Sequence, residues 1–261
     1  MSRSVRVWIV LALLSWLTPA AGQGLLAGVD LSQPAFSRSE LSRQQVVDLI
    51  RKRGDGETLD LSNKSLNGLD LSGLDLSRAN LRAARLVRAK LAGAKLDRAV
   101  LDQAWLLEAD LTGASLVGAH LFAAQMQRLR ADDADFSRAR VAGDLTGASL
   151  RRAKFVEADL SADMKNQSMG LMRAVLGQAH AEGANFMAAD LMSADLTFLH
   201  ARGASFAGAD MKGADAAGAD FLGANFDGAK VQGLDLDSAS IDASAKPALQ
   251  DAKRLDRARA Q

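Results

Sequence analysis

Two histidines and an aspartate recur at intervals of twenty residues in the second half of the sequence. They are His180, His200 and Asp220. Two imidazoles and one carboxylate can bind Zn²⁺ if the fold brings residues twenty positions apart to one place. The alternative is three exposed polar residues that happen to align, and it is favoured because no supporting residues are visible around them. We therefore expect no metal or other cofactor and keep these three residues as candidates.

The sequence lacks other residue combinations that catalysis commonly uses. It has no cysteine, which removes thiolate metal sites, cysteine nucleophiles and disulfides. It has no nucleophile elbow, P-loop or HExxH pattern. The cluster "DDAD" at Asp132 to Asp135 could supply paired acids or calcium ligands, but aspartate is also a common turn residue. We predict a protein that is not an enzyme.

A period of five orders the apolar residues of most of the chain. In "GANFMAADLMSADLTFLHARGASFAGAD" an apolar residue recurs at every fifth position from Phe186 to Phe206. A single helix does not use this period, because five steps of about 100° turn each successive residue by about 140°. A strand does not use it either, since an odd period sends successive residues to opposite faces. The pattern runs from Leu61 to Ile241 with two interruptions.

The repeated unit resembles that of the pentapeptide repeat family. The units "ADLTG", "ANLRA", "AKLAG", "ANFMA" and "ADLMS" match the family pattern A-(D/N)-L-x-x over residues 59–243. The resemblance implies an all-β solenoid, a right-handed quadrilateral β-helix whose central residue and the alanine two before it point inward. Residues twenty apart would then stack, so Phe186, Phe206 and Phe226 are expected to form an internal ladder of rings.

One interruption shortens the spacing of the apolar residues and the other lengthens it. Across residues 141–145 the apolar spacing shortens to four, which predicts a tighter corner. Across residues 160–171 it is eleven where two repeats need ten, which predicts a bulge with its polar centre projecting outward. Loops on repeat folds often carry contacts, so this centre is the candidate partner loop, with a neutral insertion as the alternative. Its residues are Lys165, Asn166 and Gln167.

Three further segments flank the repeats. Residues 1–22 have a basic start, a short apolar run and a small-residue end, which predicts a signal peptide cleaved near Gly22. Residues 23–58 are predicted to form a helical cap, with a capping box from Ser37 to Glu40. Residues 244–261 are predicted to form a short helical tail.

These observations favour a protein that binds other proteins. We expect an exported, periplasmic or secreted rod that serves as an interaction scaffold or spacer, with an unidentified protein partner and no stable membrane insertion once the leader is removed. Uncovered ends would allow an end-to-end dimer. Family members that mimic DNA and protect topoisomerases are one alternative, but the nearly neutral charge of +1 argues against it and against nucleic-acid binding. A metal protein that uses the histidine column is the other.

Overall fold

The computed structural model describes residues 33–54, 56–164 and 172–261. All of them fall in the second of two compact units, Leu31–Gln261. The predicted signal peptide and the candidate loop residues Lys165, Asn166 and Gln167 lie outside the described residues. No helix in the described ranges is both long and apolar enough to cross a membrane.

Parallel backbone bridges between residues twenty apart build the fold. Each coil contributes four bridging residues, and we number its sides 1 to 4 by the columns that begin at Asp60, Ser65, Asp70 and Asp75. The residue after a bridging residue donates its N–H to the next coil, as Leu191 N does to the Asp210 carbonyl at 2.7 Å. The predicted stacking of residues twenty apart is therefore confirmed.

Each side has five positions, which we name on the side that begins at Asp190. Asp190 is the bridging residue, Leu191 the central residue, Met192 and Ser193 the first and second corner residues, and Ala194 the inward alanine. Central residues and inward alanines are almost all buried and form one continuous core along the stack. This inward placement agrees with the family pattern.

A ladder of phenylalanine rings runs through this core. Its rings are Phe136, Phe155, Phe186, Phe206 and Phe226. Successive ring centroids lie 4.9 to 5.4 Å apart and successive planes are within 7° of parallel. The predicted stack of three rings is confirmed, and the structure extends it across both interruptions.

The corners depend on aspartate, asparagine and glycine. The Asp190 carboxylate accepts the N–H of Met192, two residues later, at 3.0 Å, and this hydrogen bond closes the turn. Where the bridging residue is His120, Asp102 of the preceding coil accepts the corner N–H of Phe122 instead, at 3.1 Å. Second corner residues adopt left-handed φ angles, as Gly208 does at 67°. Many aspartates of the repeat therefore have a structural role.

The chain approaches the first coil through two helices, α1 (Pro34–Ser37) and α2 (Arg43–Lys52). The capping box of α2 consists of Ser42 and Gln45. The prediction of a capping box at Ser37 and Glu40 is therefore wrong, because Ser37 ends α1 and Glu40 instead accepts the backbone N–H of Ser65 at 3.2 Å.

Helix α2 covers the open end of the stack. Val46 is fully buried against the core. Arg43 donates to the carbonyls of Asp70 and Ser72, at 2.7 and 3.0 Å, and Arg53 donates to a further carbonyl of the first coil. Carbonyls at these positions of later coils accept N–H groups from the coil before them. The two arginines thus replace donors that a preceding coil would supply.

The other end is covered by residues 242–261. The segment contains two 3-10 helices, Ala243–Leu249 and Leu255–Arg257, rather than an α-helix, and Leu249 is buried. A short strand, β2 (Arg259–Ala260), pairs in parallel with β1 (Ser240–Ile241) of the last coil. The tail therefore extends the hydrogen-bonding pattern while it covers the core.

The first interruption is a tight corner built around Gly143. Gln125 bridges to Asp144, nineteen residues later, so this coil is one residue short. Gly143 is buried, and a Cβ atom there would lie 2.5 Å from the Ala124 carbonyl oxygen. The predicted tight corner is confirmed, and it requires a residue without a side chain.

The second interruption is larger than predicted. Asp159 bridges to Asp190, thirty-one residues later, so the coil carries eleven extra residues. Coil hydrogen bonds continue to Ala162, which donates to the Met192 carbonyl, and resume at Ala174. The prediction of two repeats with one extra residue is therefore wrong. Ala162 ends side 1 and Ala174 precedes side 2, so residues 163–173, which we call the insertion, connect these two sides in the sequence.

Candidate interaction surface

The predicted histidine column exists but does not converge on a point. The rings of His180 and His200 are nearly parallel, with centroids 4.7 Å apart. The Asp220 carboxylate accepts a hydrogen bond from Arg202 Nε at 2.5 Å, and His180 Nδ1 lies 3.3 Å from Glu182 Oε1. Over the ranges that the structure describes, no three histidine or acidic side chains are grouped to hold a metal ion.

The "DDAD" cluster is part of the corner and charge network. Asp132 accepts the Arg151 N–H at 2.9 Å, and Asp135 accepts the Ser137 N–H at the same distance. Asp133 makes a two-point ion pair with Arg152, at 2.8 and 2.7 Å. These hydrogen bonds engage the carboxylates within the wall, so the cluster is not arranged as a pair of catalytic acids.

Two acidic columns lie on neighbouring sides of the second half of the stack. Side 1 carries Asp159, Asp190 and Asp210, and side 2 carries Asp195, Asp215 and Asp235. Burial raises the pKa of the Asp190 carboxyl above its usual value, and repulsion from Asp159 and Asp210 adds to the rise, against a hydrogen bond from the Met192 N–H. The folded environment of Asp190 therefore stabilises the ionised carboxylate less than water does.

Several exposed apolar side chains lie beside the insertion, and a further one, Met187 at 45% exposed, lies on side 4. Met164 is 64% exposed, Met192 38% and Phe198 57%. Met192 lies against the residue that precedes the insertion, because its carbonyl accepts the Ala162 N–H at 3.0 Å. Phe198 lies across the next coil, where its ring would meet a Cβ placed on Gly218 at 2.5 Å.

We call this region the insertion wall. It comprises side 2 from Val175 to Asp215, with Met192 at one corner and Phe198 at the other. Arg173, at the end of the insertion, binds the Asp195 carboxylate at 3.1 Å. The wall thus combines exposed apolar groups with an acidic centre, which is the composition of a surface that can bind another protein.

Sequence reasoning placed the candidate contact on the insertion but missed the wall beside it. Met192 and Phe198 occupy corner positions, which hold small or polar residues in most of the other repeats. A large apolar residue at the variable positions of A-(D/N)-L-x-x was therefore the available signal.

The chain belongs to the pentapeptide repeat family. The family model, Pentapeptide repeats, matches in eight copies, over residues 65–103, 84–121, 106–143, 171–206 and 204–241. The matches stop at 143, within the first interruption, and resume at 171, within the second. The resemblance seen in the sequence is therefore confirmed.

Solved structures of other pentapeptide repeat proteins are similar to this chain. HetL, a protein involved in heterocyst differentiation regulation from the cyanobacterium Nostoc, is 21% identical, with a TM-score of 0.38 over 77% of this chain and 97% of HetL. QnrB1, a plasmid-mediated fluoroquinolone resistance protein, is 17% identical, with a TM-score of 0.46 over 74% of this chain and 97% of its own. A protein from the Arabidopsis thaliana thylakoid lumen is 23% identical, with a TM-score of 0.34 over 55% and 79%. A search of curated protein sequences gave no match.

Proposed function

We propose that this chain is an exported, non-enzymatic scaffold, a right-handed four-sided solenoid that binds a partner protein through the insertion wall. The observation that carries the proposal is the exposure of Met164, Met192 and Phe198 beside the insertion, three of the four large apolar side chains exposed on the described repeats, the fourth being Met187 on side 4. Apolar side chains that remain exposed next to an irregular loop are typical of contact surfaces.

The interior supports a role in binding rather than catalysis. Central residues and inward alanines fill the core, so reactive groups would have to stand on the outer walls. A flat wall excludes little water and offers few convergent groups to a small substrate. The same wall offers a rigid, broad surface to a protein.

The acidic centre of the wall indicates the chemistry of the partner. Asp195 and Asp215 stand between Met192 and Phe198, and Arg173 forms an ion pair with the first of them. A partner with apolar side chains flanked by lysine or arginine would complement this wall. Binding should therefore weaken as salt concentration rises.

Export is tested first, because it follows from the leader and not from the fold. Protein recovered from the periplasm or the medium should begin near Gln23 when its N-terminus is sequenced. Full-length protein confined to the cytoplasm would remove export from the proposal.

Binding is tested by two matched variants. Phe198→Asp places a charge on the insertion wall, and Ser205→Asp places one at a bridging position of side 4. The affinity-purified wild-type protein should retain a partner that Phe198→Asp loses and Ser205→Asp keeps. Equal retention by both variants would refute the insertion wall as the binding surface.

A further inference from the structure

Side 1 changes the charge of its bridging residues halfway along the stack. From Asn80 to Arg140 none of them is acidic, and from Asp159 to Asp210 all of them are. Arg140 and Asp159 meet at the boundary in an ion pair of 3.4 Å. Asp190, one coil further, forms no ion pair within the described part of the chain. The acidic half of this wall is therefore incompletely neutralised.

The corner that precedes side 1 changes its charge at the same height. Arg138 and Glu157 are second corner residues of side 4 in successive coils, since the Arg138 N–H donates to the Val156 carbonyl at 2.9 Å. Both side chains are exposed, and neither makes an ion pair with the residues that the structure describes. Arg138 and Arg140 thus form a basic level, and Glu157 and Asp159 form an acidic level in the next coil.

A two-fold axis between these two levels would pair them with opposite charges. A closed contact between two identical chains uses the same surface on both of them. If the axis lies in the plane of the wall and at right angles to the stack, the two stacks are antiparallel. Each residue below the axis then faces the residue that lies equally far above it in the other copy. Arg140 therefore faces Asp159 of the second copy and Arg138 faces its Glu157, and each pair occurs twice.

The coils further from the axis are complementary in the same register. Successive pairs, read from the bridging and first corner positions, are His120 with Asp190, Phe122 with Met192, and Asp102 with Lys212. Phe122 is half-buried beneath the Arg140 guanidinium group, 5.7 Å from its ring centroid, and Met192 is 38% exposed. Val100 faces Asp210, whose carboxylate two lysines of its own chain already bind at 3.4 Å. Charged and apolar groups thus meet groups that suit them on both sides of the axis.

Charge determines the register of this contact. An axis moved by half a coil, to the acidic level, would place Asp159 and Glu157 each against its own copy. An axis at the basic level would do the same to Arg138 and Arg140. Like charges would then oppose each other at the centre of the contact, which disfavours both alternatives.

We propose that side 1 is a self-association surface that joins two copies of this chain in an antiparallel dimer. Contact between copies falls to the walls, because α2 and residues 242–261 cover the two ends of the stack. The dimer leaves Val175 and Phe198 of the insertion wall outside the contact, and Met192 lies at the edge that the two surfaces share. The proposal depends neither on export nor on the partner of the insertion wall.

Two charge-reversed variants test the pairing by sedimentation equilibrium. One carries Arg138→Glu and Arg140→Glu, and the other carries Glu157→Arg and Asp159→Arg. The wild-type protein should form a dimer, and either variant alone should dimerise at least about tenfold more weakly, because like charges then meet at the axis. An equimolar mixture of the two variants should restore the dimer, since each basic level again faces an acidic one. A monomeric wild-type protein, a variant that dimerises alone at wild-type strength, or a mixture that stays monomeric would each overturn the proposal.

Distances between single spin labels test the antiparallel arrangement without these variants. The chain has no cysteine, so Ser161→Cys and Arg82→Cys each supply one labelling site, both at first corner positions of side 1. Across the axis, the two copies of residue 161 lie one coil apart along the stack, about 5 Å, and those of residue 82 lie seven coils apart, about 34 Å. Pulsed electron paramagnetic resonance should therefore give a much shorter distance for Ser161→Cys than for Arg82→Cys. Equal distances would indicate parallel stacks, and a longer distance for Ser161→Cys would place the contact elsewhere, so either result would contradict the proposal.

Discussion

Replacing Phe206 by alanine tests the assigned register at the centre of the core. The ring is fully buried and lies 5.0 Å from Phe186 and 5.4 Å from Phe226 in nearly parallel stacks. It also meets the edge of Phe221 at 5.5 Å. Removing a buried phenylalanine ring costs about 3 to 5 kcal/mol of unfolding free energy, and a ring stacked on both faces should fall near the upper end.

The control is the same substitution at Phe198, eight residues earlier. Phe198 is 57% exposed, so Phe198→Ala should cost less than about 1 kcal/mol. Urea unfolding followed by circular dichroism measures both variants. With a slope of roughly 2 to 3 kcal/mol per molar urea, Phe206→Ala should lower the midpoint by about 1.5 to 2.5 M and Phe198→Ala by much less. Equal losses would refute the register, because both residues would then have to lie in similar environments.

Four other perturbations have defined outcomes. Deletion of residues 163–173 should restore a coil of normal length and leave the thermal midpoint unchanged or higher, whereas deletion of 163–172 leaves one residue over and should lower it. Gly143→Ala should cost about 1 to 3 kcal/mol in urea melts, because its Cβ would lie 2.5 Å from a carbonyl oxygen; an unchanged midpoint would contradict the tight corner. Asp190→Asn should stabilise the chain at pH 7. The pKa of Asp190 is higher in the folded chain than in the unfolded chain, so the stability that the protonated carboxyl contributes at low pH is lost as pH rises through the folded pKa, and Asn cannot ionise. Asp75→Asn should instead destabilise the chain at pH 7, because hydrogen bonds from the Ser77 hydroxyl and N–H lower the pKa of Asp75 in the folded chain. This destabilisation should fade as pH falls through the lowered pKa. Equal responses of the two variants from pH 3 to 7 would refute the argument.

The repeat itself could be predicted because the same five positions recur many times. One leucine at a central position is compatible with many structures. A long run of leucines at intervals of five, each with an alanine two residues earlier, excludes a single helix or strand. The same regularity predicted the stack of Phe186, Phe206 and Phe226. It also placed His180 and His200 in one column, although their parallel rings could not be foreseen from spacing alone.

The insertion could not be predicted in full, because spacing alone does not show which residues remain in the coil. Leu171 restores the five-residue phase, but the central residue that follows Leu160 in the stack is Leu176. An insertion of eleven residues differs from one of a single residue by two whole repeats, so the phase is identical in both cases. Only the bridge between Asp159 and Asp190 distinguishes them.

The sequence predicted a cap before the repeats but not the contacts that this cap makes. An uncovered coil requires a cap, and the amphipathic segment before the repeats was the evident one. The use of Arg43 and Arg53 as donors to the carbonyls of the first coil depends on where α2 crosses that coil. The sequence pattern does not indicate where α2 crosses the first coil.

The most direct test of the proposed scaffold is a photo-cross-linking scan of the exported protein in intact cells. A photoreactive residue is placed singly at Val175, Met192 and Phe198 on the insertion wall, and at Ser205 and Asn225 on side 4. We predict that the three wall positions cross-link to the same protein and that the side 4 positions do not. Cross-links of equal yield on both sides, or on side 4 alone, would contradict the claim that this chain binds its partner through the insertion wall.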